Sequence, residues 1–151
     1  MATIQITTKI NAPIQTVFDF SRNIDIHQLS AKETSESAIA GVTSGLIGLN
    51  ETVTWKGKHF GIFLKHKTRI TAFENPQYFV DEMEKGHFKS FRHEHFFEFE
   101  NEKTIMTDKL SYETPYGIFG KLFDYFLLKK HLTKFLTERN QWLQSLSESQ
   151  E

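Results

Sequence analysis

Apolar positions in this chain recur with two different periods, and the switches between them divide it into elements. Thr3–Ile10 places Ile4, Ile6, Thr8 and Ile10 on one side, the period-two signature of a strand. Asn11 is expected to cap a helix that has Pro13 in its first turn, where a missing N–H costs nothing. Val17, Phe18 and Phe20 supply its apolar side, Ser21–Asn23 breaks it, and Ile24–Leu29 predicts a second short helix with Asp25 near its start. Lys32 to Val42 reads as a weak strand, and the glycine-bearing stretch Gly41–Gly48 after it matches no phosphate-binding motif. From Glu51 the chain becomes a meander of strands, Glu51–Lys58, His59–Phe73, Gln77–Lys85, Phe88–Glu100 and Lys103–Glu113. Asn75–Pro76 and Lys85–Gly86 mark two of the turns, and Pro115–Tyr116–Gly117 stops the sheet. Helical spacing returns from Ile118 to about Leu146, through Phe119, Leu122, Phe123, Phe126, Leu132, Phe135, Leu136 and Leu143. Ser147–Glu151 is expected to fray.

The order β-α-α-β-β-β-β-β-β-α implies an α+β domain spanning residues 1–151, with no repeat and no linker. An antiparallel seven-stranded sheet of this length is expected to curve and wrap around the long C-terminal helix. That is the helix-grip layout, in which sheet and helix enclose a cavity.

Which side chains face the cavity follows from charge. In His59–Phe73 the set Phe63, Lys65, Lys67, Arg69 carries three cations and belongs in water, so Ile62, Leu64, His66, Thr68 and Ile70 point inward. On the next strands Phe79, Asp81, Met83, then Phe91, His93, His95, Phe97, Phe99, then Met106, Asp108, Leu110, Tyr112 share the inward face. The opposite register would bury Glu82, Arg92, Glu94 and Lys109 beside the helix, which costs far more than exposed cross-strand pairs return.

Asp81, His93, His95 and Asp108 thus gather on an otherwise apolar face, with His66 one strand away and Trp55 and Val53 on the strand beyond. Such a cluster has three readings. Asp–His pairs satisfy one another as a structural network; they anchor the polar group of a ligand whose body meets apolar walls; or they do chemistry, as a general base or as a two-His, one-carboxylate metal site. The second reading makes Trp55, Phe79, Met83, Phe91, Leu110 and Tyr112 walls, and His66, Asp81, His93, His95 and Asp108 anchors. The segment Gly117–Phe123 lies at the expected cavity mouth, where Phe119 and Phe123 would meet the ligand. It could be a gate or a homodimer contact, but its plainer reading is the core face of the helix. Lys129–Lys130–His131 reads as a solvated turn of that helix.

Composition narrows the field. At 151 residues the chain can bury roughly 70% of its unfolded surface, enough for a core without staples. It has no cysteine, which excludes disulfides, thiolate chemistry and Cys-ligated zinc, and no resident cofactor or metal is expected. A formal charge of −1 gives no general attraction to nucleic acid, and no apolar run approaches a membrane span, so no integral membrane association is expected. Without a signal-peptide layout the protein is expected in the cytoplasm. Fifteen phenylalanines suggest a large apolar interior that side chains do not completely fill.

Phe79-Val80-Asp81-Glu82, Gly86, Arg92-His93-Glu94-His95 with Phe97, Met106-Thr107-Asp108 and Pro115-Tyr116-Gly117 with Gly120 together resemble the ligand-binding branch of the START-like (SRPBCC) superfamily. Ala12-Pro13 with Val17-Phe18-Asp19-Phe20, and Trp55-Lys56-Gly57, are similar to it as well. The resemblance implies a helix-grip fold with a deep hydrophobic cavity. It also implies a function drawn from lipid and hormone carriers, polyketide cyclases and aromatases, or bacterial members of unassigned ligand, some labelled cell-division inhibitors. This chain departs from the pattern at Met83–Glu84–Lys85, His87 and Phe91, which alters cavity shape. The expected function is binding of a small hydrophobic molecule; the alternatives are a cyclase-like or hydrolase-like enzyme, metal-assisted or not, and a regulatory interaction module.

Overall fold

The computed structural model describes residues 1–150. Strand β1 (Ala2–Ile10) leads into helices α1 (Ile14–Ser21) and α2 (Ile24–Ser30), followed by a 3-10 turn at Lys32–Thr34. Strands β2 (Ser37–Gly41), β3 (Thr52–His59), β4 (Ile62–Glu74), β5 (Tyr78–Lys85), β6 (Ser90–Glu100) and β7 (Lys103–Glu113) follow. The chain ends in one helical run: α3 (Gly117–Phe123), a π-helical turn (Asp124–Leu128) and α4 (Lys129–Glu148). All seven strands form one antiparallel sheet in the order β1-β7-β6-β5-β4-β3-β2. This is the helix-grip α+β architecture expected from the alternation.

Charge alternation sets the faces as expected. Arg92 pairs with Glu82 at 2.6 Å and Lys67 with Glu84 at 3.1 Å on the outer face, where Arg69 also meets Glu84. Ile70, Phe79, His93, His95, Phe97, Met106, Asp108, Leu110 and Tyr112 are all buried. A bulge between Ile70 and Ala72 then turns Phe73 inward, opposite Phe79, although simple alternation from Arg69 would place it outside. Phe18 of α1 is the hub of the core, with its ring edge-on to Phe73 (5.4 Å), Phe79 (5.6 Å) and Phe97 (5.2 Å). A second apolar cluster joins Ile4, Leu110 and Tyr112 of the sheet to Leu128 and Leu136 of the helix.

Several local expectations are corrected. Pro13, not Asn11, is the residue flanking α1; the Asn11 N–H instead reaches Glu148 Oε1 at 3.0 Å. That bond holds the chain's C-terminal turn down, so Ser147 is fully buried and α4 continues to Glu148 where fraying was expected. The expected tail also includes Glu151, which lies outside the described residues. Only Ser37–Gly41 of the run Lys32–Val42 pairs as a strand, because a 3-10 turn occupies its beginning. The expected junction at residues 58–59 is a two-residue turn, Phe60–Gly61, with both residues at positive φ. Phe99, near the end of β6, is exposed. The largest correction is α3 and the π turn. Phe119, Leu122, Phe123 and Phe126 are exposed rather than core, because α3 packs chiefly against the π turn and not against the sheet.

Replacing Phe18 with alanine removes three edge-to-face contacts at the hub and leaves a cavity. The expected loss is about 3–5 kcal/mol of unfolding free energy, measured by urea denaturation.

Candidate functional site

Adjacent strands bring the polar cluster together. Asp81 lies directly opposite His93 across β5–β6, and His95 directly opposite Asp108 across β6–β7. The hydrogen bonds run diagonally: His93 Nε2 to Asp108 Oδ1 at 3.0 Å and His95 Nε2 to Asp81 Oδ2 at 2.8 Å. His95 Nδ1 also sits 2.9 Å from Asp108 Oδ1, but out of line for a hydrogen bond, so the contact is a charge attraction. Phe79 stacks on the His95 ring at 4.1 Å and His93 lies over its other side at 3.9 Å.

The long helix completes the cluster from the opposite layer. Asn140 Nδ2 donates to Asp108 Oδ2 at 2.7 Å, and Arg139 Nη1 approaches Asp108 Oδ1 at 3.4 Å. Arg139 also donates to Asn140 Oδ1 and to the Ser21 carbonyl. Arg139 and Asn140 were missed in the sequence reading. Their signal is that Asn140 falls on the buried stripe of α4, four residues after Leu136 and three before Leu143.

Burial raises the Asp81 carboxyl, but the bond from His95 and the charges of His93, His95 and Arg139 outweigh it and hold the pKa down to about 2. Burial is likewise outweighed at Asp108, which lies well below the usual carboxylate range under His93, His95 and Arg139. His95 is pulled down by burial and pushed up further by its bond to Asp81 and the close Asp108 carboxylate, so its net shift is upward. His93 is lowered by burial and by the neighbouring His95 charge. The two carboxylates are thus offset by the Arg139 guanidinium and by His95, whose shift favours its charged form, while the shift of His93 favours the neutral one.

A cavity of about 670 Å³ lies between sheet and helices. Of the residues expected there, Trp55, His66, Phe79, Asp81, Phe91, His93, His95, Leu110, Phe119 and Phe123 line it. Met83, Asp108 and Tyr112 do not. Met83 places its sulfur against Gly86, Asp108 sits behind the histidines, and Tyr112 is buried with its hydroxyl donating to Asp124. His66 lies edge-on to Phe91 at 4.7 Å, its buried Nε2 has no partner, and burial lowers its pKa.

A second polar group at the other end of the cavity also went unread in the sequence. Glu36, just before β2, lies 3.6 Å from His27 Nε2 and 3.4 Å from His59 Nε2, while His59 Nδ1 meets His131 Nε2 at 2.9 Å. Burial raises the Glu36 carboxyl, yet His27 and His59 bring it down to about 2. The sequence signal was Gly57 within a strand, since a Cβ there would collide with the Glu36 carboxylate. His131 thus faces the cavity instead of belonging to a solvated turn with Lys129 and Lys130.

No family model and no curated protein sequence matches this chain. Solved structures do. The Thermus thermophilus protein TTHA0849 superposes with a TM-score of 0.75 at 18% identity, covering 97% of this chain and 99% of that one. A START superfamily protein from Mycobacterium smegmatis gives 0.74 at 13% identity, covering 99% of each chain. The major latex-like protein 151 of Panax ginseng gives 0.69 at 15% identity, with 97% of each chain covered. At these identities the likeness is one of fold, and the fold is START-like.

Asp81 and Glu36 are both lowered on folding. Their stabilisation is therefore complete above the unfolded values of 3.8 and 4.5 and drains away as pH falls toward about 2. His95 has the opposite sign, stabilising below 6.5 and losing that contribution as pH rises through its raised folded value. Urea unfolding as a function of pH is expected to show an acid limb on the order of a few kcal/mol. Glu36→Gln is expected to make that limb shallower.

Proposed function

We propose that this protein binds a small, largely hydrophobic molecule in the cavity between the sheet and the C-terminal helix. The observation that carries the reading is the cavity of about 670 Å³, a size suited to a small molecule, whose walls are mostly apolar with polar groups at its two ends. Trp55, Phe79, Phe91 and Leu110 are the proposed walls, and Asp81, His93, His95 and His66 the proposed anchors. Because the Asp–His–Arg cluster is internally charge-balanced, it favours a neutral polar group over an ionised one. A hydroxyl or amide fits this role: it can donate to Asp81 and also pair with the unpartnered Nε2 of His66.

A second reading is favoured by one specific arrangement. Asp81, His93 and His95 offer ligand atoms that all lie within 4.8 Å of one another, next to open space. Asp108 contacts Nε2 of His93 and Nδ1 of His95, leaving the other nitrogen of each ring toward Asp81. Carboxylates behind ligating histidines orient them in this manner in metal sites. A divalent cation there would keep open positions for an oxygen of the bound molecule.

Native mass spectrometry of freshly purified protein separates the two. A stoichiometric organic adduct released on denaturation marks the first reading, and a divalent-ion adduct absent from His93→Ala marks the second. For the cavity itself, Leu132→Trp is expected to fill the lumen from α4. It should weaken uptake of the fluorescent probe N-phenyl-1-naphthylamine by at least about tenfold, the scale of 1.4 kcal/mol. Unchanged uptake in a folded variant would remove the reading.

A further inference from the structure

We propose that the aromatic end of the molecule, made of the β3–β4 tip and the front half of the C-terminal helix, docks on an anionic lipid bilayer. The helical segment carries Tyr116, Ile118, Phe119, Leu122, Phe123, Tyr125, Phe126 and Leu127, each between 40% and 84% exposed. The hairpin tip facing it adds Phe60 and Ile62, also exposed, and the Phe60 and Phe123 rings meet at 5.2 Å. Two separate segments therefore form one apolar surface. A helix that is apolar all round is stable when covered, and contiguous exposed apolar surface of this extent marks a docking site.

Charge identifies what covers it. Residues 56–65 and 116–130 hold six lysines (Lys56, Lys58, Lys65, Lys121, Lys129 and Lys130) and a single acid, Asp124. Asp124 is occupied by the Tyr112 hydroxyl. With the Glu36 carboxylate beside His59 counted as well, this end has a surplus of four positive charges in a chain whose formal net charge is −1. A second copy would bring two such surpluses face to face. An anionic bilayer answers both features at once: aromatic side chains settle at headgroup depth while lysines meet the negative surface. Among the described residues no helix is long and apolar enough to cross a membrane, so the contact lies on the surface. Phe119 and Phe123 belong both to this surface and to the cavity lining, which sets the mouth against the lipid. The inference stands on exposure and charge, independently of the cargo.

The test is co-sedimentation of the full chain with vesicles of phosphatidylcholine containing about 30 mol% phosphatidylglycerol. Binding is expected at about 0.1 M salt, falling at least about tenfold on phosphatidylcholine alone and at about 1 M salt. The double variant Ile118→Glu/Phe126→Glu is expected to lose it while keeping the parent melting temperature and N-phenyl-1-naphthylamine uptake. Neither residue lines the cavity, so uptake reports on the cavity reading separately: lost uptake with retained vesicle binding sinks the cargo and leaves the docking intact. Lys129→Gln/Lys130→Gln, exposed on α4, is expected to weaken binding severalfold and carries the test should the first variant unfold. Absent binding, indifference to anionic lipid, or full binding by both folded variants overturns the proposal. So does a dimer mass in vesicle-free solution that becomes monomeric in Ile118→Glu/Phe126→Glu, which would assign the surface to a second copy.

Discussion

The carboxylate of Asp108 is the fixed point of this molecule. It is ionised and essentially inaccessible to water, a state that is ruinous unless every lone pair finds a donor or a cation. Those partners come from both layers: two histidines from β6 and the Arg139–Asn140 pair from α4. Meeting the demand of one side chain therefore seats the helix on the sheet at a set height and rotation. The gap left between the two layers beside this cluster is the cavity.

The same arrangement explains the character of that cavity. Salt-bridged groups sit at its end in mutual neutrality, so its lumen is governed by aromatic and aliphatic walls and not by a net field. The Glu36–His27–His59–His131 group repeats the device at the opposite end, where a glycine in β3 makes room for the carboxylate. The first set is buried and the second half-buried, and both are polar networks that fix geometry as well as charge. His66 is the exception, a buried imidazole nitrogen with nothing to bond, and it stands beside the open space.

Much of the sheet was legible in the sequence because three consecutive outward cations in β4 leave only one workable register, and Asp81, His93, His95 and Asp108 follow from it by counting in twos. The helix contribution was less legible. Arg139 and Asn140 look like solvent-facing polar residues unless one knows that a carboxylate waits on the sheet, which is long-range information. Glu36 escaped for the same reason, lying next to a short, irregular edge strand. The front of the long helix was misread because its large side chains fit helical spacing as well as a core stripe does. Periodicity reveals that a helix has apolar residues; it does not reveal whether anything lies opposite them. Bulges and positive-φ turns, as at Thr71 and Phe60–Gly61, likewise leave no mark in the alternation until the partner strand is known.

The π turn at Asp124–Leu128 has a consequence for how the chain can vary. By inserting a wider turn it offsets α3 from α4 by on the order of one residue, roughly 100° of rotation. Two stretches of one helix thereby answer to different selective demands, the rear to volume and hydrogen bonding, the front to surface chemistry. Tolerance to substitution is expected to divide at Leu128, the first large side chain of the run to be buried, and not at either end of the helix. A saturation scan of folding stability that found even sensitivity from residue 117 to 148 would show instead that the helix is read by evolution as a single unit.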